Sequence, residues 1–255
     1  MLGSESLDSE RSLDTSSSVT SRYISALRWV GLLVIGYLFN RGICVTLHLP
    51  QDYLEMSFLG HVVTLANLVL MGFMQGWFCH VIEDVQRNQR LFGNKAFLVT
   101  YFATFPLFAW MGDWSLLAHA VTTDSVLPLE FAIFLFVLGL GVLVVVFWHV
   151  VYARQVLASQ MDFRAYCAGR AVAFGFFLGS LLLAEADGKP LVIHLHHYFL
   201  AWVVSLFAAF NHPISIVTLA ISAAIFVQGL SAYSAAAIIF TPRDLHQVFF
   251  HLSSS

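Results

Sequence analysis

Apolar runs of membrane-spanning length recur along this chain, and they constrain its fold more than any other feature. A membrane helix needs about 20 mostly apolar residues. Seven stretches meet that length or approach it: residues 26–47, 57–82, 96–117, 127–152, 165–183, 193–210 and 214–236. The breaks between them carry turn chemistry or charge, as in Pro50-Gln51-Asp52, Glu83-Asp84 and Asn211-His212-Pro213. Composition agrees. Hydrophobic residues make up 59% of the chain and charged residues 11%, against about 25% charged in a soluble domain. These patterns predict an all-α integral membrane protein built as a seven-transmembrane-helix bundle. The third stretch is interrupted by Pro106 and Asp113. Proline is tolerated in a membrane helix when neighbours satisfy the freed carbonyl.

Basic residues set the expected orientation. Arg11, Arg22, Arg28, Arg87, Arg90, Lys95, Arg154, Arg164 and Arg170 fall on one side of a seven-span protein, and Arg41, Lys189 and Arg243 on the other. Cytosolic loops carry the excess of Lys and Arg. The N-terminus is therefore expected in the cytosol and the C-terminus on the lumenal or extracellular side. Residues 1–22 hold eight serines and several acids with no apolar run. That is the composition of a disordered cytosolic tail and not of a signal peptide. Residues 23–240 form the expected seven-helix domain, and 241–255 a short C-terminal tail.

Several functions are disfavoured at this level. The net charge is −3 and no basic stretch is present, which argues against nucleic acid as a partner. The partner that composition implies is the lipid bilayer. Cys44, Cys79 and Cys167 lie far apart inside apolar runs, so they read as buried small side chains and not as a metal or disulfide framework.

The chemistry-bearing stretch is His194-Leu195-His196-His197-Tyr198, at the start of the sixth span. His194 and His197 are three residues apart and share a helix face, while His196 points away. Depth can be counted at about 1.5 Å per residue. His61, Asp113, Asn40, Arg41, Gln228 and Ser231 then fall in the same outer half of the bundle. Ionisable groups at membrane depth are costly and mark functional sites by default. The short turn at 211–213 makes the last two spans antiparallel neighbours, which brings Gln228 toward the histidine face.

Imidazoles at this spacing, with a carboxylate from another helix, can hold zinc with a position open for water. On that reading His61, His194 and His197 are the metal ligands and Asp113 the catalytic base. Gln228 and Ser231 support the cofactor from the last span. The expected function is a metal-dependent membrane hydrolase or lipid-modifying enzyme. The alternatives are a transporter for a small solute, proton or metal ion, and a non-enzymatic scaffold or receptor subunit. Haem b is the alternative cofactor, held by His61 with His194 or His197, and by His80 with His149.

In helix count and orientation the chain is similar to the progestin/adiponectin-receptor family. That family and the alkaline ceramidases are membrane hydrolases with histidine-bound zinc, so the similarity implies the same class of site. Two departures stand against it. The last span here, residues 214–236, contains no histidine, and the histidine run is expected on the outer side, away from the cytosolic face where that family holds its metal.

Overall fold

A computed structural model describes residues 4–46, 57–112, 128–186, 192–193, 197–233 and 239–240, with side chains described over 19–46, 57–111, 128–175 and 198–231. Among the described residues there are eight helices: α1 (Ser4–Thr46), α2 (Phe58–Phe78), α3 (Val85–Gly93), α4 (Lys95–Gly112), α5 (Leu129–Val156), α6 (Gln160–Ala186), α7 (His197–Ser205) and α8 (Pro213–Tyr233). Two residue pairs, β1 (Val192–Ile193) and β2 (Ile239–Phe240), pair antiparallel. Four helical segments are long and apolar enough to cross a membrane: Val19–Thr46 of α1, Phe58–Phe78, Leu129–Val156 and Pro213–Ser231 of α8. Lys95–Met111 is a shorter apolar helix. The protein is a helical membrane protein.

The polar breaks in the sequence act as helix starts. Ser57 Oγ accepts the Gly60 N–H and opens α2, and Asp84 accepts the Arg87 N–H and opens α3. Asn94 Oδ1 accepts the Ala96 N–H at 2.9 Å and opens α4. Ser159 and Asp162 exchange backbone-to-side-chain bonds, each at 3.1 Å, at the start of α6. That reciprocal pair is a capping box with aspartate in the usual glutamate position. Pro106 lies inside α4 and the helix continues past it.

The main core lies where α1, α2, α4, α7 and α8 meet, and it includes Trp29, Leu33, Leu68, Tyr101, Phe226 and Leu230. Close approach depends on glycine at two places. A Cβ on Gly72 would overlap Leu33, and one on Gly229 would overlap Tyr198. These glycines let α2 seat against α1, and α7 against α8. The Gly175-x-x-x-Gly179 pair of α6 does not repeat this at Gly175, where a Cβ would meet open space. Indole and phenol groups tie the same helices. Trp29 Nε1 donates to the Gly72 carbonyl at 2.8 Å, Trp202 Nε1 to that of Met71 at 3.0 Å, and the Tyr101 hydroxyl to that of Leu32 at 3.2 Å.

α5 contrasts with this core. Only 6% of its most apolar window is buried. Its buried residues lie toward its two ends, Phe131 near the first turn and His149 and Ala153 near the last, and Trp148 and Tyr152 meet the His212 ring at 4.8 and 5.0 Å.

Helix α7 departs from the expected sixth span. Residues 193–210 read as one continuous crossing, yet the helix ends at Ser205. Nine residues cover only about 14 Å. From Leu206 the chain turns through irregular backbone, although Leu206, Ala208 and Ala209 are all buried.

Candidate functional site

Among the described residues, polar groups inside the bundle gather in two places. The first lies toward the C-terminal end of α1. Tyr37, Asn40, Arg41 and Cys44 are three or four residues apart and so share one helix face. Tyr37, Asn40 and Cys44 are buried and Arg41 half-buried. The Tyr37 hydroxyl and His61 Nδ1 are 2.8 Å apart, with the rings edge to face. Asn40 Nδ2 donates to Ser231 Oγ on α8. Ser231 Oγ in turn donates to the Gln228 carbonyl at 2.9 Å. That leaves Ser231 Oγ only as an acceptor for Asn40, which fixes the amide orientation. Asn40 Oδ1 then faces the interior, buried and without a hydrogen-bond partner. Arg41 Nη1 donates weakly to the Ser231 carbonyl at 3.4 Å.

The residues expected from the sequence distribute as follows. His61 is brought to α1, and Ser231 and Gln228 are buried beside the same face or one turn below it. His194, His196 and Asp113 lie outside the described residues, as does the side chain of His197. The His197 backbone opens α7, and the next residue, Tyr198, packs on Gly229 beside Gln228. The start of α7 therefore lies level with Gln228. Among the described residues no three histidine, cysteine or acidic side chains converge as a metal site would require. His80 occupies an exposed turn at φ 56° and pairs with Glu83 at 3.1 Å. His149 is buried in α5, with Nδ1 hydrogen-bonded to the Val145 carbonyl and Nε2 unpartnered.

The second polar centre lies at the opposite end of the bundle, around the ends of α2 and α7, and sequence reasoning missed it. Arg87 of α3 and Arg170 of α6 are 1% and 6% exposed. Every described polar contact of their guanidinium groups goes to a neutral oxygen. Arg87 donates to the Cys79 and Ala208 carbonyls, each at 2.8 Å, and to Asn211 Oδ1 at 3.0 Å. Arg170 donates to the carbonyls of Leu206, Tyr166 and Phe78, each at 2.9 Å. It also stacks over the Tyr166 ring at 3.5 Å, while the Tyr166 hydroxyl donates to the Phe207 carbonyl at 2.9 Å. Cys79 Sγ reaches the Ser205 carbonyl at 3.0 Å. Two helix C-termini, those of α2 and α7, thus point their carbonyls at two buried cations. The negative end of a helix dipole favours that arrangement. Burial pulls the Arg87 guanidinium down to about 10, against the pull of nearby Asp84, and it stays cationic near neutral pH.

The sequence held a signal for this centre. Arg170 lies inside the fifth expected span, one turn after Tyr166, but it was read there only as a marker of orientation. Arg87 sits in a short polar stretch where nothing local announces burial.

Compared with known proteins, the chain matches no family model, no curated protein and no solved structure.

The role of this second centre is structural in its described contacts, where three N–H groups of each guanidinium satisfy carbonyl or amide oxygens. Arg87→Met should strand the Cys79 and Ala208 carbonyls and cost about 3 kcal/mol or more. Arg154→Gln, at an exposed position, should stay within about 0.5 kcal/mol. Unfolding of both variants in detergent checks this, and equal stability of the two would overturn the assignment.

Proposed function

We propose that this chain is a seven-span membrane protein, with its N-terminus cytosolic and its C-terminus lumenal or extracellular, that passes a proton, alone or with a small polar solute, through the polar site on α1. The observation that carries this reading is the face Tyr37-Asn40-Arg41. It joins α1 to α2 through His61 and to α8 through Ser231 at one level of an apolar bundle. A phenol and an imidazole in direct hydrogen-bond contact can exchange a proton in either direction. If the phenol donates to Nδ1, Nε2 carries the imidazole proton. If Nδ1 carries it, the phenol is free to donate onward. The buried Asn40 Oδ1 offers an acceptor to a water or a solute hydroxyl next to this pair.

The topology is supported by the bias of basic residues and by the common end shared by the last turn of α2, the first turns of α6 and the end of α7. Reporter fusions at the two termini should give signals on opposite sides of the membrane. Signals on the same side would sink the seven-span arrangement.

For the function, purified protein in liposomes holding a pH-sensitive dye should conduct protons above the level of empty vesicles under an imposed potential. His61→Ala should return the flux to that level, and Tyr37→Phe should lower it. Wild-type vesicles no leakier than empty ones would reject the reading.

A second reading is the zinc-dependent hydrolase or lipid-modifying enzyme, with His61, His194 and His197 as ligands, Asp113 as base, and Gln228 and Ser231 in support. One observation favours it. His61 Nδ1 is held by the Tyr37 hydroxyl, which orients the ring and leaves Nε2 for a metal, as partners of metal-bound histidines commonly do. Elemental analysis should then find about one zinc per chain, reduced in His61→Ala. Metal-free protein that keeps its fold would leave the proton reading alone.

A further inference from the structure

We propose that the corner formed by α1, α3 and α4 binds the phosphate-bearing headgroup of an anionic phospholipid. The inference goes beyond the outer polar site and does not rest on it.

Four exposed cations meet at this corner: Arg22 and Arg28 of α1, Arg90 of α3 and Lys95 of α4. Their placement follows from the contacts between the helices. Asn88 Nδ2 donates to the Ser25 carbonyl at 3.1 Å and pins α3 to α1 between Arg22 and Arg28. Leu32 and Gly36 of α1 meet Tyr101 of α4, so α1 presents the row 28, 32, 36 toward α4. Arg28 is one turn below Leu32, and Lys95 is six residues, or about 9 Å, below Tyr101. The two side chains therefore emerge at nearly the same level. Arg90 stands in the last turn of α3, a short step before Lys95.

The nearby acids make no ion pair with these cations. Glu83 pairs with His80, and Asp84 accepts the backbone N–H of Arg87. Among the described residues, none of the four cations pairs with a carboxylate. Four cations against these two acids leave the corner net positive, suited to phosphate oxygens.

Apolar surface beside the charge points to a lipid and not a free anion. Ile35, two turns above Arg28 on the same face of α1, is 56% exposed, and Val99, one turn above Lys95, is 66% exposed. The levels of Arg28 and Lys95 are thus followed toward the bilayer centre by bare hydrocarbon. A headgroup on the cations would lay its acyl chains along this surface.

The test uses the full-length protein in phosphatidylcholine vesicles, with tryptophan quenching by brominated phosphatidylserine compared with brominated phosphatidylcholine. The serine lipid should bind about fivefold more tightly at low salt, the strength of about one surface cation. The preference should fade toward unity in 1 M salt, where screening acts within about 3 Å. The combined variant Arg22→Gln, Arg28→Gln, Arg90→Gln, Lys95→Gln should lose it. The variant Arg154→Gln, Arg164→Gln, which removes exposed cations from α5 and α6, should keep it. Equal quenching by the two lipids would overturn the proposal, as would a preference that survives the fourfold variant or disappears equally in the twofold one. Displacement of the lipid by millimolar inorganic phosphate would also overturn it, by making the corner a site for soluble anions.

Discussion

A peptide that leaves its helix while buried in protein has to find hydrogen-bond partners there, because no water is present to supply them. Here the chain leaves helical geometry at Ser205 and again at Phe78, and Arg87 and Arg170 answer both departures. They turn the ends of α2 and α7 into one joint, with Tyr166 and Cys79 completing the set. Six N–H groups on two fixed forks satisfy oxygens that a lysine could not reach together. The absence of a carboxylate from these described contacts is informative. Carbonyl dipoles from two helix ends supply negative potential at both cations, and nearby Asp84 adds to it at Arg87 without a direct ion pair.

From that joint the rest of the core follows. α7 ends early, and the turn through Asn211-His212-Pro213 sends α8 back along it. α8 is then the central helix, packed on α7, α4 and α1. Gly229 and Gly72 let the neighbours in close, and Trp29 and Trp202 bond to carbonyls of α2. α1 reads as a rod with two jobs. Its lower turns carry Trp29 and Leu33 into the apolar core, and its upper turns carry the polar face that meets His61 and Ser231.

The class of the protein was legible because it depends on run length and composition, which are local. The starts of α2 at Ser57 and of α4 beside residue 96 were legible for the same reason, whereas the short α3 after Asp84 and the start of α6 at Gln160 fall in polar stretches that read as breaks. The pairing of Gln228 and Ser231 with the outer half of α1 was legible in part, since counting residues from the turns placed them at a common depth. Tyr37 was not singled out, because a tyrosine in an apolar run looks like packing until its hydroxyl is seen against an imidazole. The buried arginines were illegible for a deeper reason. Basic residues near helix ends usually face headgroups, and only the tertiary contact with a broken helix reverses that expectation. The early end of α7 was hidden likewise, because 198–210 is apolar apart from Ser205 and its termination comes from partners far away in sequence.

The loose seating of α5 has a mechanical consequence. Its 28 residues measure about 42 Å end to end, whereas the hydrocarbon layer is about 30 Å thick. Such a rod must lean, or lift its ends into the headgroups. Phe131 is buried near its first turn and His149 and Ala153 near its last, while the length between them, with Phe136, Val137, Leu143 and Val144 bare, is open to lipid. The strain of fitting a thinner or thicker bilayer then falls on the tilt of this one helix, while the joint of arginines and carbonyls beside its C-terminal end keeps its geometry.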